Sequence, residues 1–275
     1  RKRHFTMGRQ GADKMTSGRF CLDPTAAAHV EALLAKFARP GVCDPDATVP
    51  IIDGEPDADA RRADGRSHGQ RCHDAIAMIA RNALTDEQIG QHRGLPVTVI
   101  VTADVNDLDD DSAHARTAGG TLVPMRDFRR MGQHATNYLA LFDDARPLWL
   151  WHGRDRRLAS GPQRLMLIAS ERGCSFPGCG AGAYYCQVHH ANGDWQDGGR
   201  TDIDDLTLAC ERDHPLAGRG PNQWKTAKRH GITTWTPPKI VDPQQRPRVN
   251  SFHHPERRMP PTRSGGIDSE EPVAS

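Results

Sequence analysis

The chain has 275 residues, with 36 Lys and Arg against 35 Asp and Glu, a formal net charge of +1 at pH 7. That balance excludes a whole-chain field able to gather polyanions, and no apolar run approaches the roughly 20 residues of a membrane span. The length permits a sizeable core, but 26 Gly, 20 Pro and a mean hydropathy of −0.67 predict that about a third of the chain is irregular.

Arg1 to Arg19 is basic, polar and glycine-bearing, which predicts a disordered N-terminus over 1–19. It lacks a charged-then-apolar leader, so the expected setting is a reducing cytoplasm. Asp23-Pro24 reads as N-cap and first residue of an Ala-rich helix that stops before Pro40. Residues 40–66, rich in Asp, Pro and Gly, read as a long loop inside a helical domain expected over 20–160. Helical spacing returns over Gln70 to Leu84, with Cys72, Ile76, Ile79, Ala80 and Ala83 on one side. Cys72 and His73 there are read as packing and surface residues. Pro96 to Ala103 contains a β-branched run that predicts a buried strand, and Met125 to Gln133 predicts a helix.

Leu148-Trp-Leu-Trp151 and Arg157-Leu-Ala flank a short polar turn and predict a hairpin, whose Trp149 and Trp151 could stack on bases but, as alternating strand aromatics, read as core. Ser160 caps a predicted helix, Gly161 to Arg172, whose Leu165, Ile168 and Ala169 share a face. Arg154, Arg156, Arg157, Arg164 and Arg172 gather along this stretch, as do Lys225, Lys228, Arg229 and His230 further on. Either run could track a phosphate backbone or be a solvated face with charge pairs.

Between Cys174 and His214 stand four cysteines and three histidines. Cys174 and Cys179 flank Ser-Phe-Pro-Gly, a turn-forming spacer that can bring two sulfurs to one ion, and Cys210 arrives from a later segment. Shared zinc, a disulfide and unrelated core residues compete. Seven cysteines, an odd number, count against disulfides. A fourth zinc ligand could be Asp213 or, alternatively, Cys186.

His189-His190 is the sharper clue, because consecutive strand residues point to opposite faces and do not ordinarily bind one ion together. The pair implies divided roles, one histidine on a metal and the other taking a proton from water. Pro215, directly after His214, allows only a short helix there. Gln223-Trp224-Lys-Thr and Ile232-Thr-Thr-Trp235 predict a second hairpin, with Trp224 and Trp235 clamped across it, and 241–275 reads as a disordered tail with solvated His253-His254.

Cys174 to Gly231 resembles the HNH, or ββα-metal, endonucleases. Ser67-His-Gly-Gln-Arg-Cys-His-Asp-Ala-Ile, Arg154-Asp-Arg-Arg-Leu-Ala-Ser and Glu171-Arg-Gly-Cys174 resemble the domain of unknown function that precedes such modules in the actinobacterial thirteen-E-twelve repeat family. The resemblance implies an α+β protein: a mostly helical N-terminal domain, then a small zinc-stabilised ββα-metal module over 161–240 with its lead-in helix and C-terminal hairpin. It implies that His190 is the general base and that His189 and His214, with Asp205 available, hold one catalytic divalent ion (Mg, Mn, Ni or Zn). One structural zinc would sit on Cys174, Cys179, Cys210 and Asp213. Arg154, Arg156, Arg157, Lys225 and Lys228 would meet DNA. Two positions depart from the family pattern: Asp205 replaces an asparagine that orders the loop of the base, and Asp213 replaces Cys or His. The implied activity is metal-dependent hydrolysis of DNA phosphodiesters, with a catalytically degenerate, zinc-containing nucleic-acid-binding module as the alternative.

Overall fold

A computed structural model of the chain describes residues 2–47, 50–132, 142–143, 146–147, 154 and 157–258. The chain forms two compact units, Arg1–Thr98 and Val99–Ser275. Among the described residues the chain contains helices and six small antiparallel sheets, an α+β composition.

In the first unit β1 (His4–Gln10) pairs with β2 (Thr16–Cys21), in place of the expected disorder. Stacked Phe5 and Phe20 join the strands on a side exposed to solvent; cross-strand aromatic pairing and a tight turn outweigh the polar composition. Helix α1 (Pro24–Phe37) starts where predicted, with Asp23 accepting from the amide of Ala26. The 40–66 segment is more tied down than a loose loop. It contains α2 (Ala58–Ala63), and its Val42 and Cys43 pack on Met78 of α3 (His68–Thr85). Arg66 locks it, reaching Asp64 (2.9 Å), Asp74 (2.7 Å) and the carbonyls of Val42 and Cys43.

The α3 start is a capping box of Ser67 and Gln70. Its buried stripe is Ala75 and Met78, with Ile76 exposed, so the apolar face is rotated one residue from the predicted one. Cys72 is half-buried and His73 exposed, as read. The unit ends in the short pair β3 (Gln91–His92) and β4 (Leu95–Pro96).

The second unit opens on a small sheet of β5 (Val101–Thr102), β6 (His114–Thr117) and β7 (Leu122–Pro124), followed by α4 (Met125–Gly132). The Pro96–Ala103 run is therefore not one buried strand: it is divided between two sheets, with Val99 exposed. Two short strands follow, β8 (Phe142–Asp143) and β9 (Arg146–Pro147). The predicted Trp149 and Trp151 hairpin lies outside the described residues.

Helix α5 (Gly161–Glu171) has a capping box of Ser160 and Gln163, and ends as Arg172 turns left-handed at φ 61°. Its apolar side lies against a ribbon of β10 (Cys186–His190) and β11 (Leu206–Cys210). After β11 comes a single 3-10 turn, His214–Leu216, where an α-helix would complete a ββα unit; Pro215 confines it, as predicted.

A second hairpin, β12 (Lys225–Arg229) and β13 (Ile232–Thr236), turns at His230 and Gly231 and gains β14 (Arg248–Val249) at its edge. Trp224 and Trp235 are buried, but Phe176 stands edge-on to both, at 5.0 and 5.1 Å. They therefore build the core beside the cysteine turn. The expected disordered tail is instead tied down in its described part: Asn250 donates to the carbonyls of Cys174 (2.7 Å) and Cys179 (2.8 Å), and His253 and His254 are buried. Gly173 makes room for His253, since a Cβ there would stand 2.3 Å from the ring. Polar composition concealed a strap fastened by backbone acceptors far away in sequence.

Candidate metal centre

Cys174 leaves the end of α5 and bonds back across the turn, its amide to Ala181 O (2.9 Å) and that of Cys179 to Phe176 O (3.0 Å). Cys210 ends β11, and Asp213 follows in a turn closed on Cys210 O. The ligand atoms of Cys174, Cys179, Cys210 and Asp213 lie within 4.8 Å of one another, and all four residues are buried. The Cys179 and Cys210 sulfurs are 3.9 Å apart, and Asp213 Oδ2 is 3.2 Å from Cys210 Sγ and 3.6 Å from Cys174 Sγ. This Cys3Asp cluster could hold a metal ion.

The alternative ligand Cys186 faces Gly182 O at 3.4 Å, and Asp213 occupies the fourth position. The Cys186 thiol and burial push Cys174 up, while burial and Asp213 push Cys179 and Cys210 up. Burial opposes ionisation of Asp213, but Arg212 and the thiols of Cys179 and Cys210 hold it at about 2. Four acidic groups thus share one dry spot, an arrangement that a cation relieves.

The second group lies along the ribbon. His189 and His190 stand opposite Thr207 and Leu206 and diverge as strand alternation requires. His189 Nδ1 faces His214 Nε2 at 3.2 Å. The Thr226 hydroxyl donates to Ala191 O (2.9 Å) and so accepts from His189 Nε2 (3.0 Å). Gln187 Oε1 accepts from His214 Nδ1 (3.1 Å). With the Thr226 and Gln187 oxygens as acceptors, the outer nitrogens carry the hydrogens and the facing nitrogens are left with lone pairs. Burial with the neighbouring His214 and His190 pushes His189 down to about 4, and burial lowers His214, so a bridging proton is disfavoured near neutral pH.

His190 lies apart from that pair. Its Nε2 meets Thr201 Oγ1 at 3.2 Å, and this hydroxyl also reaches Arg157 O at 3.4 Å. With Nε2–H given to Thr201, the lone pair is on Nδ1. Burial lowers the His190 pKa, partly offset by Asp194 and Asp205. Trp195 stands 6.2 Å from His190 and carries the Arg154 guanidinium at 4.8 Å.

Asp205 does not join His189 and His214. Its carboxylate accepts from Asn192 Nδ2 at 2.6 Å and its carbonyl from Ala191 N at 2.7 Å. The Cys3Asp group is the sole set of three or more candidate ligand side chains gathered this closely among the described residues. Asp205 instead ties down the loop after His190, with Asn192 supplying the donor.

The basic residues divide. Arg154, Arg157 and Lys225 are exposed, and Arg156 lies outside the described residues. Lys228 cannot meet DNA: it is buried with Nζ 2.8 Å from Glu171 Oε1 and 2.6 Å from Leu206 O. Glu171 in turn accepts from Thr207 Oγ1 and Leu208 N. Arg164 is buried as well, donating to Cys186 O. Thr226, Gln187, Thr201 and Asn192 were not singled out from sequence, since polar residues on short strands and turns carry no spacing signal.

The match to known proteins covers both units. A family model described as Domain of unknown function (DUF222) matches residues 1–170. The chain belongs to the DUF222 family. This DUF222 chain is 50% identical over 256 residues to Uncharacterized protein Rv1148c of Mycobacterium tuberculosis and to Uncharacterized protein Mb1179c of Mycobacterium bovis, covering 93% of this chain and 55% of each relative. It is 45% identical over 260 residues to Uncharacterized protein Rv1128c of Mycobacterium tuberculosis, covering 94% of this chain and 56% of the relative. The chain thus spans about half the length of these relatives. No solved structure matches it. Among the described residues no helix is long and apolar enough to cross a membrane.

Proposed function

We propose that the second unit is an HNH-type endonuclease module that hydrolyses DNA phosphodiesters, with a zinc-stabilised knuckle and one catalytic divalent ion. The observation that carries the reading is the approach of His189 Nδ1 to His214 Nε2, 3.2 Å apart, with the Thr226 and Gln187 oxygens on the outer nitrogens. Two nitrogens on one tetrahedral ion at about 2.0–2.1 Å stand roughly 3.3 Å apart. The knuckle supports it too: tetrahedral zinc with bonds of about 2.3 Å to sulfur and 2.0–2.2 Å to oxygen spaces S···S at roughly 3.8 Å and S···O at roughly 3.5 Å. Here the Cys179 and Cys210 sulfurs are 3.9 Å apart, Asp213 Oδ2 is 3.2 and 3.6 Å from the sulfurs of Cys210 and Cys174, and the whole set lies within 4.8 Å.

In this reading His190 Nδ1 takes the proton from the attacking water, and Thr201 fixes the ring for that task. Its lowered pKa keeps the imidazole neutral, and therefore able to accept, at neutral pH. Asn192 and Asp205 hold the following loop, and Arg154 and Arg157 offer positive charge on the His190 side. When bound at His189 and His214, the divalent ion would stabilise charge growing on the phosphate and the leaving oxygen.

A binding module without cleavage is the second reading, favoured by the single 3-10 turn that carries His214 where the family pattern has a helix. Incubating the zinc-loaded chain with plasmid and Mg²⁺, Mn²⁺ or Ni²⁺, against EDTA, separates them. Nicked or linear product supports the nuclease; a gel shift with intact DNA supports the binder.

A further inference from the structure

We infer that Thr226, on β12 and outside the Cys174–His214 segment, is the positioning residue that decides which nitrogen of His189 is offered to an ion. This rests on reading His189 and His214 as an ion-binding pair.

An imidazole can carry its hydrogen on either nitrogen, and only the lone-pair nitrogen can bind a metal. For His189 the choice is made by the Thr226 hydroxyl. Its one hydrogen goes to Ala191 O at 2.9 Å, so toward His189 Nε2, at 3.0 Å, it acts as an acceptor. Nε2 must then hold the hydrogen and Nδ1 the lone pair. Ala191 is buried, so its carbonyl keeps the hydroxyl from rotating toward solvent. Opposite Thr226 in the hairpin register is Trp235, whose ring stacks on His189 at 6.2 Å and 24°. One cross-strand pair, contributed by a hairpin after the histidine and cysteine motif, therefore fixes both the plane of the ring and its tautomer.

Thr226→Val removes the acceptor at nearly constant shape, and Thr226→Ser keeps it. Side-chain ¹⁵N NMR of the zinc-loaded full chain reads the tautomer directly, and titration with Mn²⁺ or Ni²⁺ reads the second ion. The wild type and Thr226→Ser should show His189 with hydrogen on Nε2, and Thr226→Val should lose that preference and bind the second ion about 10- to 100-fold more weakly. Hydrogen on Nδ1 in the wild type, or an unchanged tautomer and affinity in Thr226→Val, overturns the assignment. The wild-type spectrum decides even where Thr226→Val does not fold. A tautomer set by Thr226 in a chain that binds no second ion would uphold only the control of the His189 tautomer, and would overturn its role toward an ion together with the nuclease reading.

Discussion

Asn192 donates its amide to the carboxylate of Asp205 over 2.6 Å, while its own carbonyl accepts from Lys228 N at 2.6 Å. The loop that follows His190 is thereby clasped to the turn that leads into β11 and to β12 of the second hairpin. An aspartate serves at 205 because the donor comes from Asn192. In the nuclease reading, Asp205→Asn should therefore leave second-ion affinity unchanged and cleavage within about threefold, because an amide oxygen still accepts from Asn192. Asp205→Ala should lower cleavage about tenfold or more with the zinc content intact. Loss of ion binding in Asp205→Asn would instead make Asp205 a ligand.

Lys228 and Lys225 share a strand and should behave oppositely. Lys228→Met leaves Glu171 buried without its partner and should cost about 3–5 kcal/mol in denaturant unfolding. Lys225→Ala should change stability by less than about 0.5 kcal/mol. In the nuclease reading it should weaken DNA binding and reduce its salt dependence by about one ion. Equal stability of the two variants would contradict the buried pair.

The knuckle should bind one zinc per chain. Asp213→Ala should weaken it and Asp213→Cys strengthen it, as measured by competition with a chromogenic chelator. Full removal of a structural zinc withdraws on the order of 10 kcal/mol from folding, so chelation should unfold the segment around Cys174 to Asn250. A chain that keeps its near-UV spectrum without metal would argue against a structural ion.

In the first unit, Arg66 and the backbone amide of Gly41 hold the Asp64 carboxyl well below the usual carboxylate range. A depressed folded pKa contributes stability that is present above the unfolded value, about 3.9, and lost as pH falls through the folded one. Asp64→Asn should destabilise this unit at pH 7 by about 2 kcal/mol, and the deficit should shrink as pH drops below about 4. A deficit that grows toward acid would reverse the assignment.

What could be read from the sequence was local. The Asp23 and Ser160 caps, the Cys174 turn and the alternation of His189 and His190 depend on neighbours within a few residues, and the structure has them. The failures were long-range. Lys228 looked like a DNA contact because Glu171 is 57 residues away, and the tail looked loose because Asn250 finds its acceptors more than 70 residues upstream. Asp205 looked like a ligand because composition cannot show that Asn192 already holds it. Thr226 gave no signal, since a threonine in a strand ordinarily reports only a β preference.

The most direct test of the nuclease reading is plasmid nicking by the zinc-loaded chain and by His190→Ala at matched zinc content, with Mg²⁺, Mn²⁺ or Ni²⁺ and an EDTA control. The reading predicts metal-dependent nicking by the wild type, reduced about 10²- to 10⁴-fold in the variant, with fold and zinc unchanged. Nicking of equal rate in His190→Ala, or none by the wild type with any of these ions, would contradict it.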